Sequence, residues 1–108
     1  MNYRIHVTKK ASKDVVEAAD YIEFNLRNPT AADKLVDDFE RKISTLSEFP
    51  DRNRIVDDPI LKSWGIRFAM VNNYLAFYII VDDIVHVVRF LYSRRNWAYI
   101  LKQGINLE

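Results

Sequence analysis

The chain contains no cysteine, only two glycines and only three prolines among its 108 residues. Without cysteine, a disulfide framework, a thiolate metal site and a cysteine nucleophile are all excluded. The two histidines, His6 and His86, are far apart in the sequence, which argues against a zinc site. The scarcity of glycine and proline argues against long flexible linkers, and the length suits one domain. We therefore assign residues 1–108 to a single domain.

The chain also lacks an uncharged apolar stretch long enough to cross a membrane. Its most apolar region, residues 74–92, is interrupted by Asp82, Asp83, His86 and Arg89. A membrane span needs about 20 nearly uncharged residues. The N-terminal residues show no apolar run followed by a small-residue cleavage site, so we expect no signal peptide. These absences predict a cytoplasmic protein with no membrane association.

Acidic and basic residues nearly balance over the whole chain but not along it. The formal net charge is +1. Residues 1–59 hold 10 Lys and Arg against 12 Asp and Glu, whereas residues 60–108 hold 6 against 3. The excess in the second half includes Arg67, Arg89, Arg94 and Arg95. A local basic face of this kind can bind a polyanion. The pI of about 8.0 lies below the value of about 9 that nucleic-acid-binding domains often exceed, so the charge is only a modest indication of such binding.

The hydrophobic pattern predicts an α+β domain with the order β-α-α-β-β-β-α. Apolar residues alternate in the strands and recur every three or four residues in the helices. The predicted strands are 3–8, 65–71, 74–81 and 84–92, and the predicted helices are 12–26, 30–49 and a short one from 97 to 103. Residues 51–64 are predicted to form a polar loop. Thr8 or Ser12 is expected to cap the first helix and Thr30 the second.

Short connections restrict how these elements pack. The two-residue turns Asn72-Asn73 and Asp82-Asp83 suit tight hairpins, so the last three strands are predicted to form an antiparallel meander. Asn28-Pro29 joins the two long helices, which therefore pack antiparallel. Each helix has one apolar stripe, and we expect both to cover one face of the sheet. The first strand is expected to join the same sheet.

Five short segments share a pattern with one known family. They are ASKDV at 11–15, YI at 21–22, LSEFP at 46–50, NYLAFY at 73–78 and VRFLYSRRNW at 88–97. In order and spacing they resemble motifs of the RelE/ParE superfamily of toxins from type II toxin–antitoxin systems. Two positions depart from that pattern. Leu75 replaces an arginine that contacts the RNA phosphate in ribonuclease members, and Tyr92 replaces a histidine found in many members.

The resemblance implies a fold, a partner and a choice of activities. The fold is RelE/ParE-like, with an antiparallel sheet and a helical hairpin packed on one face. The partner is an antitoxin encoded beside the toxin, and the expected assembly is a homodimer or a toxin–antitoxin heterotetramer. No metal or other cofactor is implied. The first expected activity is ribosome-dependent cleavage of mRNA, which arrests growth. The alternatives are a ParE-like inhibitor of DNA gyrase with no nuclease activity and a degenerate relative that only binds its antitoxin.

Metal-independent cleavage of RNA requires groups that hold the phosphate and move protons. Arg67, Arg94 and Arg95 are the candidate phosphate clamp, because a guanidinium fits phosphate oxygens. Strand alternation predicts that Arg67 points away from the core, to an open face of the sheet. Tyr92 is the candidate phenol for proton transfer. Each of these residues is equally compatible with a solvated or packing role.

Three further residues are candidates for contacts with the substrate. They are Arg89, Trp97 and Tyr99, of which the two aromatic residues can stack a base. Packing in the core or an interface is the alternative for Trp97. Alternation in the last strand predicts that Arg89 shares a face with Val85, Val87 and Leu91. If that face is open, His86 points toward the helices.

Overall fold

Four strands and four α-helices follow one another along residues 2–108, the part of the chain that the computed structural model describes. A π-helical turn, Tyr21–Asn25, continues the first α-helix, and 3-10 turns occupy Thr45–Ser47 and Pro50–Arg52. The elements are β1 Arg4–Val7, α1 Lys9–Asp20, α2 Pro29–Ser44, α3 Pro59–Ser63, β2 Arg67–Val71, β3 Tyr74–Val81, β4 Ile84–Tyr92 and α4 Trp97–Lys102.

The strands form one mixed sheet in the order β1-β4-β3-β2. The antiparallel meander of β2, β3 and β4 is confirmed. Asn72 and Asp82 begin its two tight turns with φ values of 54° and 56°, a left-handed conformation that Asn and Asp tolerate. The first strand joins the sheet as predicted, but it lies parallel to β4, so the sheet is not wholly antiparallel. The helices and two strands between β1 and β4 provide the long crossover that a parallel pair needs.

The two long helices pack together on one face of the sheet, as predicted. Apolar residues of α1 and α2 share one buried cluster with residues of β2, β3 and β4. Thr8 caps α1, with its hydroxyl accepting a hydrogen bond from Ala11 N at 3.2 Å. The cap predicted for α2 is wrong by two residues: Asn28 accepts from Ala31 N, and Pro29 is the first helical residue. Proline suits that first position because its missing N–H has no partner there anyway.

A second buried cluster covers the opposite face of the sheet. Residues of β3 and β4 pack there against α4 and against the segment between α2 and β2. That segment was predicted to be a polar loop, but it contains α3 and buries Val56 and Leu61. Two buried apolar side chains anchor this segment, although it is otherwise rich in charged residues. No helix within residues 2–108 has the length and apolar character that crossing a membrane requires.

A register shift interrupts the alternation of β4. Phe77 lies opposite Arg89, whereas its neighbour Tyr78 lies opposite Val87, so Val88 is an extra residue on β4. Such a bulge turns the following side chains to other faces. Val87 belongs to the cluster under the helices, whereas Val88 and Leu91 belong to the opposite one. The predicted grouping of Arg89 with Val85, Val87 and Leu91 is therefore wrong.

Candidate functional site

A groove of about 620 Å³ separates the helical hairpin from the end of the sheet where β3 begins and β4 ends. The hairpin lines one wall, and the β2–β3 turn together with the end of β4 lines the other. The lining is mainly apolar and aromatic, and it includes two cationic side chains, Lys34 and Arg95. Its apolar and aromatic part includes Tyr21, Ile22, Leu26, Leu35, Tyr74 and Tyr92. An apolar cleft with a few charged groups is the usual form of a binding site.

The π-helical turn shapes the hairpin wall of the groove. Leu26 N donates to Tyr21 O at 3.2 Å, a hydrogen bond that spans five residues instead of four. Such turns are frequent at functional sites. Tyr21 is 53% exposed, Phe24 66% and Leu26 57%. The tip of the hairpin thus presents apolar side chains to solvent, which indicates a surface for a protein partner.

Aromatic packing fixes Tyr74 at the floor of the groove. Its ring stacks on Phe90 with centroids 5.0 Å apart and planes 9° apart. Tyr92 meets Tyr74 edge-on at 5.5 Å. Burial raises the pKa of Tyr74 above 10, and the nearby phenols of Tyr92 and Tyr21 raise it further. Tyr74 therefore stays protonated at neutral pH and can donate a hydrogen bond but cannot act as a base.

Arg95 is the cation of the groove that is available to a ligand. Its backbone N–H closes the turn after β4 by donating to Tyr92 O at 3.0 Å. Within residues 2–108 its guanidinium has no hydrogen bond or ion pair, whereas Lys34 already pairs with Asp38 at 2.8 Å. Of the four candidate catalytic residues, Tyr92 and Arg95 line the groove together. Arg94 is exposed and does not line the groove.

The prediction that Arg67 lies on an open face of the sheet is wrong. Arg67 does point away from Ile66 and Phe68, but both faces of the sheet are covered. Its Nη1 donates to the backbone carbonyl oxygens of Asp51, at 2.8 Å, and Asn53. The guanidinium therefore anchors the 3-10 turn Pro50–Arg52 and the residue after it to β2, and it does not reach the groove.

Arg89 is held by a carboxylate that the sequence analysis did not single out. Asp14 Oδ2 accepts from Arg89 Nε at 2.7 Å, and Asp14 Oδ1 accepts from Arg89 Nη2 at 3.0 Å. Asp14 Oδ2 also accepts from the backbone N–H of Phe90 at 3.0 Å. Both side chains are largely buried, at 7% and 16% exposure. The pair links α1 to β4. Because Nε and Nη2 of Arg89 both donate to Asp14, few of its N–H groups remain to bind a substrate.

The two aromatic candidates of α4 have different surroundings. Trp97 packs against Phe77 at 5.2 Å, in the cluster that covers the second face of the sheet. It therefore has the packing role that was its alternative. Tyr99 is 63% exposed and does not line the groove. The structure thus brings Tyr92 and Arg95 together and leaves Arg67, Arg89, Arg94, Trp97 and Tyr99 outside the groove.

Sequence reasoning missed Asp14 as a structural residue and Tyr21, Lys34 and Tyr74 as groove residues. A signal for Asp14 was present, because it falls between Ala11 and Ala18 on the apolar stripe of the first helix. An acid at such a position needs a buried partner. The groove residues had no local signal, since they come from three separate elements.

Comparison with known proteins identifies a family and similar solved structures. The family model described as "ParE toxin of type II toxin-antitoxin system, parDE" matches residues 5–97. A solved structure described as "Chromosomal ParDE TA system from P. aeruginosa" superposes with a TM-score of 0.72 and 19% sequence identity. The alignment covers 85% of this chain and 97% of the other. No curated protein matches the sequence. At this identity the structural similarity bears on the fold alone.

Proposed function

Because the chain belongs to the ParE toxin family of type II toxin–antitoxin systems, we propose that it arrests growth by binding a protein target, DNA gyrase, and does not cut mRNA. One observation carries the proposal: the arginines expected to clamp a phosphate do not converge. Arg67 lies opposite Tyr78 on β3, whereas Arg95 lies beside Tyr74 at the start of that strand. Four residues along a strand correspond to about 13 Å.

A phosphate clamp needs donors that converge on one group. Charge-assisted hydrogen bonds to oxygen have donor–acceptor distances of about 2.7–2.9 Å. The guanidinium of Arg67 is engaged by Asp51 O and Asn53 O, so it would have to give up both contacts to reach a phosphate. Arg95 remains as the cation of the groove with a free guanidinium within residues 2–108. A single arginine cannot provide the several converging donors that a phosphate clamp requires.

The position of Leu75 also disfavours RNA cleavage. Leu75 replaces the arginine of the ribonuclease members, and it is only 7% exposed in the cluster that covers the second face of the sheet. RNA has no access to that face beneath α3 and α4. The substitution therefore removes a cationic side chain and places an apolar one against apolar neighbours.

Among residues 2–108, no histidine or carboxylate lines the groove to act as a general base. Tyr74 has a raised pKa, and the histidines lie elsewhere. His86 precedes Tyr92 by six residues on β4, or about 20 Å along the strand. It contacts His6 and not the groove. Proton transfer in the groove would depend on the phenols of Tyr21 and Tyr92.

The groove itself suits the antitoxin partner that members of this family have. Its exposed apolar residues can take the apolar face of an amphipathic segment, as helix-in-groove recognition does. Arg95 at its edge favours an acidic residue in that segment. We assign the groove to the antitoxin, which leaves other surfaces, including exposed Tyr99 on α4, for gyrase.

The proposal can be tested with the toxin released from its antitoxin complex and refolded. DNA supercoiling by gyrase should be inhibited in proportion to toxin concentration, and mRNA on translating ribosomes should stay intact. Cleavage of that mRNA, lost in the folded Arg95→Ala variant, would contradict the proposal. Activity in neither assay, together with normal antitoxin binding, would contradict it in favour of a degenerate relative.

A further inference from the structure

Phe49 occupies a backbone conformation that a bulky side chain rarely adopts. Its φ and ψ of 52° and 53° lie in the left-handed region. Asn72 and Asp82 tolerate that region in the hairpin turns, whereas for an aromatic residue it is an outlier that indicates strain. Phe49 also precedes Pro50, and steric contact with a proline ring drives the residue before it toward an extended conformation. Two local preferences of the sequence therefore oppose the conformation of Phe49.

Contacts on both sides of Phe49 impose this turn. Before it, the carbonyl oxygen of Ser47 accepts a hydrogen bond from Tyr3 N at 2.8 Å, next to the first strand. After it, Pro50 is buried, and its carbonyl oxygen accepts from the hydroxyl of Tyr78, which is fully buried in the sheet. The chain changes direction between these two fixed points, so Phe49 takes up the strain.

Packing within the chain does not offset the strain, because the side chain of Phe49 lies mainly in solvent. It is 66% exposed, the same fraction as Phe24, which lies in the π-helical turn without a positive φ. Asparagine or glycine would form the left-handed turn at lower cost in free energy. Strained residues persist mostly at functional sites, and an aromatic ring buries about 150–250 Å² when it is covered. The ring of Phe49 therefore suits a partner that covers it.

Phe49 lies beyond the end of α2 that is remote from the groove. Lys34 lines the groove near the start of α2. A rise of about 1.5 Å per residue places Ser44, the last residue of that helix, about 15 Å farther along the axis. Pro50, the neighbour of Phe49, contacts Tyr78, which lies about 13 Å along β3 from the floor of the groove. A partner segment confined to the groove therefore does not cover Phe49.

We propose that Phe49 is an anchor residue for the protein target of the toxin, which receives the phenyl ring in an apolar pocket. This inference rests on the function proposed above, in which the target is DNA gyrase and the groove belongs to the antitoxin. Because Phe49 lies outside the groove, its ring is accessible to gyrase. Aromatic anchors supply much of the binding energy of an interface. The constrained backbone also fixes the ring before binding, which reduces the entropy lost on association.

The test measures inhibition of DNA supercoiling by toxin that has been released from its antitoxin complex and refolded. Phe49→Asn and Phe49→Gly should each raise the concentration for half-maximal inhibition roughly tenfold or more, because an anchor side chain is lost. Met70→Asn is the matched control: it removes a side chain that is 58% exposed on β2, and it should inhibit gyrase as the wild type does.

Thermal melting tests the strain independently of any partner. Because asparagine suits the left-handed turn, Phe49→Asn should melt roughly 4 °C above the wild type. Phe24→Asn is the control for stability, since Phe24 is equally exposed but has no left-handed strain to relieve. Its melting temperature should not rise. A melting temperature of Phe49→Asn at or below that of the wild type would overturn the argument from strain.

The supercoiling assay separates failure of this inference from failure of the proposed function. Full inhibition by folded Phe49→Asn and Phe49→Gly, with inhibition by the wild type, would exclude Phe49 as an anchor and leave gyrase as the target. Unchanged inhibition together with weaker antitoxin binding would assign the ring to the antitoxin instead. A wild-type toxin that does not inhibit gyrase would overturn the proposed function and this inference with it. Circular dichroism of each variant confirms that a loss of inhibition does not reflect unfolding.

Discussion

Asp14 and Arg89 join the first helix to the last strand through two hydrogen bonds of 2.7 and 3.0 Å. This fork-to-carboxylate geometry is the strongest form that a protein ion pair takes. The same carboxylate accepts from the N–H of Phe90, a backbone group at the edge of β4 beyond the end of β1. One side chain thus completes the sheet edge and neutralises a largely buried arginine.

Asp14→Ala is expected to lower the free energy of unfolding by about 3 kcal/mol or more, since it leaves a buried guanidinium and a backbone N–H without partners. Chemical denaturation of the variant measures the change. Arg41→Ala is the matched control, because the arginine is 74% exposed and its partner Asp38 keeps its contacts with Lys34 and Asn72. The control should unfold at nearly the wild-type denaturant concentration. Equal destabilisation by the two substitutions would contradict the role given to Asp14.

Arg67→Ala is expected to lower the stability of the fold, whereas Arg95→Ala is expected to weaken binding of the antitoxin. Arg67 donates to two backbone carbonyl oxygens, so its loss should cost about 1–3 kcal/mol of stability. The guanidinium of Arg95 has no partner within residues 2–108, so its loss should change stability by no more than about 0.5 kcal/mol and should weaken antitoxin binding. Thermal melting and calorimetry with the antitoxin separate the two outcomes. A normal antitoxin affinity in Arg95→Ala would exclude this side chain from the interface.

Restoring the arginine of the ribonuclease members should not restore cleavage of RNA. Leu75→Arg would introduce a charge into an apolar cluster, and we expect a loss of about 3 kcal/mol of stability. Met70→Arg is the matched control: Met70 lies opposite Leu75 on the edge strand and is 58% exposed. The control should remain as stable as the wild type. A folded Leu75→Arg protein that cuts mRNA on ribosomes would refute this account of the covered face.

The stability of the protein should fall as the pH drops below neutrality. Burial lowers the pKa of His86 below 6.5, and the charge of His6 lowers it further. The unfolded chain therefore binds more protons than the folded one between that lowered value and 6.5. The contribution of His86 to stability is complete above pH 6.5 and is lost as the pH falls through the folded-state pKa.

Denaturation midpoints measured from pH 7.5 to 5 should show this decline, and His86→Asn should flatten it. The carboxyl groups of Asp38 and Asp58 do not interfere in that range. Hydrogen bonds from Lys34 and Lys102, respectively, lower the pKa of each below 3.8, so their contributions disappear only in stronger acid. An undiminished slope in His86→Asn would assign the pH dependence to another group.

The local pattern of the sequence determined the elements and most of their order. Alternation and helical spacing identified the strands and both long helices, and the Asn-Asn and Asp-Asp turns identified the meander. These features depend on neighbouring residues, so one segment suffices to read them. The five motifs within residues 11–97 likewise indicated the superfamily, since each is recognised by its residue types and by its distance from the others along the chain.

Tertiary structure alone decided which side chains meet. The parallel pairing of β1 brings His6 to His86, and the extra residue Val88 changes the faces of the side chains that follow it on β4. Asp14 reaches Arg89 across 75 residues. Register and bulges arise from the packing of whole elements, where a shift of one residue moves a side chain to the other face. For this reason the sequence identified Arg67 and Arg95 as cations but could not predict that one is engaged and the other free.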